Sequence, residues 1–395
     1  MNQLMKGCAR LGLCAMTLAA AQAANAVDAS GYFRAGPGST SKGHARQCYG
    51  IADPGLKYRL GNECDIYAEL ILSQPMKVDN IEASAVIMTD LWNGATDSGS
   101  ERLEIGQLFG TIKGVDFLPE ATFWAGKRFY YANQGVHIVD TWFWKPGAGS
   151  VGAGVDDIKI PVGKFGLAYF RTDGAAADGT MPSSRLHMDW SGIEVNPDGK
   201  LRVNASLSRG DFSGGKSGIA LNLHHTQSNF LGLGGANELM LQYAQGSANI
   251  NGSFGVATEG SEVKTWRLVE SPTWQVGPLG GQGLLMLAKT TKPAGETKEM
   301  SLGGRASYAV SKNVKLLAEL GISSKTPPTG GKQHVDKLTL GPAIAPAADF
   351  WSRPEFRVYA TFGKWNAAAS ADAANSLPTD KSHATSLGAQ FEVWF

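Results

Sequence analysis

Three groups of residues in this chain have types and spacings that could do chemistry. "GDFSGGKS", Gly210 to Ser217, fits the phosphate-cradling pattern G-x-x-x-x-G-K-S. Such a loop holds phosphate only when a helix follows, because amides at the helix N-terminus bind the anion. Here "GIALNLHH" follows and alternates like a strand, so the stretch reads as a glycine-rich loop. His224 and His225 are adjacent, and on a strand they point to opposite faces and cannot share a metal. His137, His187, His334 and His383 are isolated, no nucleophile elbow marks a serine hydrolase, and no cofactor is called for. Paired carboxylates for glycoside cleavage need only a separation in space, so an exported β-rich carbohydrate hydrolase is one reading.

The third group is aromatic. Tyr32 in "GYFRAG" shares a strand side with Arg34, and Tyr67 in "DIYAEL" shares one with Glu69. In "AQFEVWF" Trp394 sits with Glu392 and Gln390, while Ala389, Phe391, Val393 and Phe395 form an apolar opposite side. Aromatics of an interfacial girdle belong on the lipid side, and the parity of these three is the other one. An aromatic face beside charged hydrogen-bonding groups suits a pyranose, whose C–H face packs on the ring while its hydroxyls take charge-assisted bonds. Several similar weak sites in a row let a sugar step along; one deep site would trap it.

The elements that must carry these residues are strands. In "LRVNASLS" Leu201, Val203, Ala205 and Leu207 alternate with Arg202, Asn204, Ser206 and Ser208. "VKLLAELGI" (314–322) and "EFRVYATFG" (355–363) repeat the pattern, each about nine residues long, as a tilted membrane strand requires. Short turns such as "NPDG" (196–199) and "VSKN" (310–313) contrast with long polar loops such as "RTDGAAADGTMPSS" and "NAAASADAANSLPTDKSHA". That asymmetry is the one expected of an outer-membrane barrel. The sequence predicts a signal peptide over residues 1–26, with Lys6 and Arg10 before an apolar stretch and Ala24-Asn25-Ala26 as the cleavage signal. Beyond it no apolar run approaches a transmembrane helix, and residues 27–395 read as one all-β, antiparallel transmembrane barrel of sixteen to eighteen strands at about twenty residues each. With 36 basic against 35 acidic residues and no basic block, nothing points to nucleic acid. Cys48 and Cys64 are the two cysteines left after the signal, and in an exported protein they are expected to form a disulfide.

From "SGYFRAG" to the last residue the chain resembles the maltoporin family. "KYRLGNECDIYAEL" (57–70), "LPEATFWAGKRFY" (118–130), "VHIVDTWFW" (136–144), "HTQS" (225–228), "WSRPEFRVYATFGKW" (351–365) and "GAQFEVWF" (388–395) follow in family order. The resemblance implies an eighteen-stranded homotrimer in the bacterial outer membrane, embedded in its lipid and passing sugars, with no catalysis. It also implies an aromatic slide, matched at Tyr32, Tyr67 and Trp394, with Trp92 as the channel-mouth residue offered by a neighbouring subunit's loop. A charged track is matched at Arg34, Arg59, Glu69, Arg102 and Asp140. Trp142 takes the place of the family's narrowest-point tyrosine, and Lys145 that of an acid three residues on. Ile344 and Leu233 stand where slide aromatics are expected, and Ala132 and Asn133 near a family arginine. These departures leave the preferred sugar open, and with fewer slide residues a general diffusion porin is the alternative.

Overall fold

In the computed structural model, which describes residues 26–41, 44–94, 101–130, 135–147, 150–174 and 181–395, strands dominate. The expected signal segment up to residue 25, with Ala132 and Asn133, lies outside the described residues. Eighteen long strands close into one antiparallel barrel. They begin with β1 (Asp28–Ala35), β2 (Ile66–Val78), β3 (Ile81–Asn93), β4 (Arg102–Val115), β5 (Leu118–Lys127) and β6 (Val151–Lys159). Next come β7 (Lys164–Thr172), β8 (Ser183–Asn196), β9 (Gly199–Gly210), β10 (Ser217–Ser228), β11 (Ala236–Gly246) and β12 (Lys264–Val276). The wall ends with β13 (Leu279–Lys292), β14 (Gly295–Ala309), β15 (Val314–Thr326), β16 (Gln333–Ile344), β17 (Glu355–Trp365) and β18 (His383–Trp394).

Closure is made by β1 on β18, in the register Tyr32↔Trp394, Phe33↔Val393, Arg34↔Glu392 and Ala35↔Phe391. Past Gly36-Pro37 a short strand, Gly38–Thr40, carries the same ladder on against Gly388, Leu387 and Ser386. At the seam's other end Gly31 and Phe395 exchange both backbone hydrogen bonds, at 3.0 and 3.1 Å. Side chains follow the period of two. Phe33, Phe391 and Leu387 are exposed on the outer face, whereas Arg34, Ser386, Gln390 and Glu392 are buried inside.

Two-residue links join β2 to β3, β4 to β5, β8 to β9 and β12 to β13 at one end. The longest connections lie at the other, with two exceptions. Pro293-Ala294 alone joins β13 to β14 at the loop end, and residues 345–354 form a long link between β16 and β17 at the turn end.

Strict alternation predicts a wet lumen, yet part of the lumen is packed. Tyr49, Ile51, Leu56 and Tyr58 of the β1–β2 loop join Ile138, Val139 and Phe143 of the β5–β6 loop in a buried apolar core. Inward-facing Met240, Val269, Leu284 and Met286 of the wall complete it. Those wall residues break the polar-inside pattern because loops, not water, cover them; each such burial contributes about 1.5–3 kcal/mol. The Cys48–Cys64 disulfide (Cα–Cα 6.0 Å) closes the neck of the first loop. Inside that neck Asn62 donates to the Tyr49 and Tyr58 carbonyls at 2.6 and 2.8 Å.

The wall makes room for Tyr58 by lacking side chains opposite it. A Cβ on Gly321 would lie 2.1 Å from the Tyr58 ring, and one on Gly303 2.6 Å. Gly321→Val is therefore expected to unseat the first loop while sparing the membrane wall. Single-channel conductance should rise and become noisier; an unchanged conductance would show that the loop does not narrow the bore.

Candidate functional site

The two inward loops leave a lumenal cavity of about 900 Å³ against β1, β2, β3 and β18. Its position depends on how firmly the β5–β6 loop is held. The wall residue Gln282 accepts from the His137 amide at 2.9 Å and donates to the Gly135 carbonyl at 2.5 Å. Gln242 and Arg267 both donate to the Phe143 carbonyl at 2.8 Å, and the Lys145 amide donates to the Asn251 carbonyl at 2.8 Å. Every one of these anchors is a backbone group fixed by a buried polar side chain or by another backbone, so the loop cannot swing without leaving polar groups unpaired.

Aromatic rings descend one side of the cavity. Trp92 and Tyr67 are cross-strand partners near the loop end; Tyr32 lies a step lower, opposite Glu69, and pairs across the seam with Trp394. The Tyr32 and Tyr67 ring centroids are 6.1 Å apart. Trp92 is the residue expected to serve a neighbouring subunit's channel. It stands on β3 over this chain's own lumen, and its indole Nε1 donates to Asp65 at 3.3 Å.

Charged groups back this strip. Arg34, 5% exposed, pairs with Glu63 at 3.1 Å, Asp65 at 2.9 Å and Asp140 at 3.6 Å. Arg59 pairs with Glu63 at 2.6 Å and Glu392 at 3.3 Å and donates to the Tyr32 hydroxyl at 2.6 Å. Tyr32 in turn donates to Glu392 at 2.9 Å, so its ring is fixed in orientation. Both arginines border the cavity with their charge already matched; Asp140, which is exposed, offers a freer oxygen. Burial opposes ionisation of Glu63, but Arg34 and Arg59 outweigh it and hold this carboxyl down at about 2.

Glu69 accepts from the Tyr67 hydroxyl and faces Asp90 directly across the β2–β3 ladder. Trp142 and Lys145 border the same space, the ammonium 4.1 Å from the Phe129 ring centre. Burial pulls the Lys145 ammonium below the usual lysine range, against the opposing influence of Glu69 and Asp90.

Arg102 is placed elsewhere. It is exposed on β4, pairs with Glu104 at 2.6 Å and does not border the cavity. Ile344, 58% exposed, shares the outward parity of its partners Val314 and Phe356, and Leu233 lies in the β10–β11 turn. His224 and His225 do point apart, His224 to Glu238 at 2.6 Å and His225 to Asn196 at 3.3 Å.

Sequence reasoning missed His137, Trp351 and Arg353. His137 stands 5.5 Å from Trp394 and 5.7 Å from Trp351, edge-on to both. Arg353 lays its guanidinium 4.5 Å from the Trp394 ring centre and donates to Glu392 at 3.0 Å. All three sit in connections, where strand parity gives no signal.

His137 couples the site to pH. Arg59 lies 3.1 Å from its Nδ1 and Arg353 3.4 Å from its Nε2; both guanidiniums can only donate, so a neutral ring accepts from one of them, and Nε2 also stands 3.7 Å from Glu392. Burial, partly offset by Glu392, pushes His137 down from 6.5 to about 4. A lowered folded-state value means the unfolded chain binds the extra proton first, so stability is lost as pH falls through that window. Thermal melting in detergent should show this loss in the parent protein, and a reduced one in His137→Gln; identical profiles would remove His137 from the account.

A family model described as LamB porin matches residues 27–395. Among solved structures, OccK3 (OpdO) of Pseudomonas aeruginosa is 10% identical with a TM-score of 0.49, covering 93% of this chain and 95% of that one. The trimer form of in-vitro folded OmpT of Vibrio cholerae is 14% identical with a TM-score of 0.46, over 94% of this chain and 100% of its own. An anion-selective porin from Comamonas acidovorans is 9% identical, also at 0.46, covering 94% and 100%.

Proposed function

Because the chain belongs to the LamB porin family, and so is a channel of the bacterial outer membrane rather than an enzyme, we propose that it passes sugars of the maltose and maltodextrin kind by facilitated diffusion. The observation that carries this reading is the descent of Trp92, Tyr67, Tyr32 and Trp394 along a cavity that charged groups, among them Arg34, Glu69, Asp140 and Lys145, also border. Each ring offers an apolar face for a pyranose, and Glu69, Asp140 and Lys145 stand ready for its hydroxyls. Since no one of these platforms encloses a ligand, binding is loose enough for release. Arg34 and Arg59 serve as the wall that orients Tyr32, and Trp142 narrows the passage.

The working form is a homotrimer of chains from which residues 1–26 have been removed as a signal peptide. In that assembly Trp92 serves its own chain's channel.

The test is a planar-bilayer recording with a panel of sugars. Saturable block of the ion current by sugar is expected, whereas current unaffected by every sugar would mean a general diffusion porin. Trp394→Ala should weaken block several-fold, as the loss of about 1 kcal/mol of stacking requires, and leave oligomer stability nearly intact. Full block with lost oligomers would assign Trp394 to the membrane instead.

A further inference from the structure

We propose that Trp351 is a sugar-stacking platform at the turn end of the channel, so that the aromatic path continues past the barrel wall onto a connection. This rests on the sugar-channel reading above. The link between β16 and β17 (345–354) is long for the turn end, and instead of trailing outward it folds under the lumen. Its tryptophan borders the same cavity as Tyr32, Tyr67 and Trp394 and is 39% exposed.

The link is built to hold that ring still. Phe350, 3% exposed, packs edge-to-face on Trp351 with centroids 4.9 Å apart, and its amide donates to Gln275 at 3.0 Å. Lys315 reaches the Asp349 carbonyl at 3.3 Å, and the Ala347 amide donates to the Ser352 hydroxyl at 3.0 Å. Arg353 donates to the Phe350 carbonyl at 3.2 Å while pairing with Glu392, which ties the link to the seam. A half-exposed indole on so constrained a backbone presents a face at little entropic cost, which is what a weak stacking site needs.

Its place in the row is also set. His137 fills the space between Trp351 and Trp394 edge-on, so the two tryptophans are successive platforms and not one stacked pair. Arg353 lies over the Trp394 ring, which favours handing a sugar onward to Trp351 over retaining it at Trp394. An interfacial anchor would instead point outward at the membrane rim, as Ile344 does.

The experiment compares the parent channel with Trp351→Leu, which keeps apolar bulk in the link, and Trp351→Phe, which keeps a ring. Maltotriose and longer maltodextrins are added to one side of the bilayer at a time. In Trp351→Leu the block constant should weaken about three- to tenfold, mainly through a slower association rate from the turn side. Trp351→Phe should recover most of the loss, and Ile344→Ala should match the parent. Block by Trp351→Leu equal to the parent's, or a loss equal in Trp351→Phe, would overturn the role of Trp351 and leave the sugar reading standing. A parent channel that no sugar blocks would overturn both.

Discussion

Glu392→Gln is expected to be the most damaging single substitution in the lumen. Its carboxylate is fully buried and takes Arg59 at 3.3 Å and Arg353 and Arg357 each at 3.0 Å, as well as the Tyr32 hydroxyl at 2.9 Å. Gln keeps the shape but removes the charge, and three guanidiniums lose a shared counter-ion. Glu63 and Glu355 remain for them, at 2.6 Å from Arg59 and 3.1 Å from Arg357, but neither can serve all three. Breaking a buried pair from one side costs about 3–5 kcal/mol, because the partner charge stays buried. Heat-modifiability gels should show assembled protein melting at clearly lower temperature. The same change should also cut sugar block, since the bond that orients Tyr32 falls from a charge-assisted one on a carboxylate to a neutral one on an amide oxygen. A variant as heat-stable as the parent would mean that water, not Glu392, balances these arginines.

Removing Trp394 and Phe395 together should have a still larger effect on yield. Phe395 closes the seam through two backbone bonds with Gly31, and Tyr32↔Trp394 is the next rung. Without them the seam keeps the rungs from Phe33↔Val393 to Ala35↔Phe391 and the short ladder beyond Pro37. The outer face also loses an apolar ring that is 60% exposed, where lipid would lie. Outer-membrane fractions should contain little or no assembled protein. Normal accumulation of heat-modifiable oligomers would show that the barrel closes without this rung. Phe395→Ala alone should reproduce part of the defect and, in whatever assembles, leave sugar block unchanged. Its neighbour Trp394 behaves oppositely, because adjacent strand residues face opposite solvents.

What could be read from the chain was what depends on period two. Tyr32 with Arg34, and Trp394 with Glu392, were placed inside by parity, and the structure puts them there. The barrel itself was legible for the same reason, since every wall strand repeats one local rule. Trp92 and Arg102 are harder to place, because they flank a loop. They are cross-strand partners, yet Trp92 turns over the cavity while Arg102 stays outside it with Glu104. Ile344 leaves a gap in the expected aromatic row, and a ring seven residues further on borders the cavity. No periodicity could reveal this, because the path of residues 345–354 is set by Gln275, Lys315 and Glu392 from three different strands. The packed half of the lumen was hidden likewise: Met240, Val269, Leu284 and Met286 look misplaced until the loops that cover them are known.

The seating of the first loop also has a consequence for how the molecule forms. The Leu60 amide is held by Glu319, and the Gly61 carbonyl by the Thr361 hydroxyl, across separations of 259 and 300 residues. Contacts so distant along the chain are entropically costly to reach and come late. The strands that supply them, β15 and β17, lie near the end of the chain, so the loop, its neck tied by Cys48 and Cys64, cannot be seated until they are in the wall. A barrel that has inserted but not yet received its loop is a wide hole in the membrane. The narrow bore of this molecule is thus acquired at the end of biogenesis, and any agent that traps the loop unseated is expected to leave the bore wide.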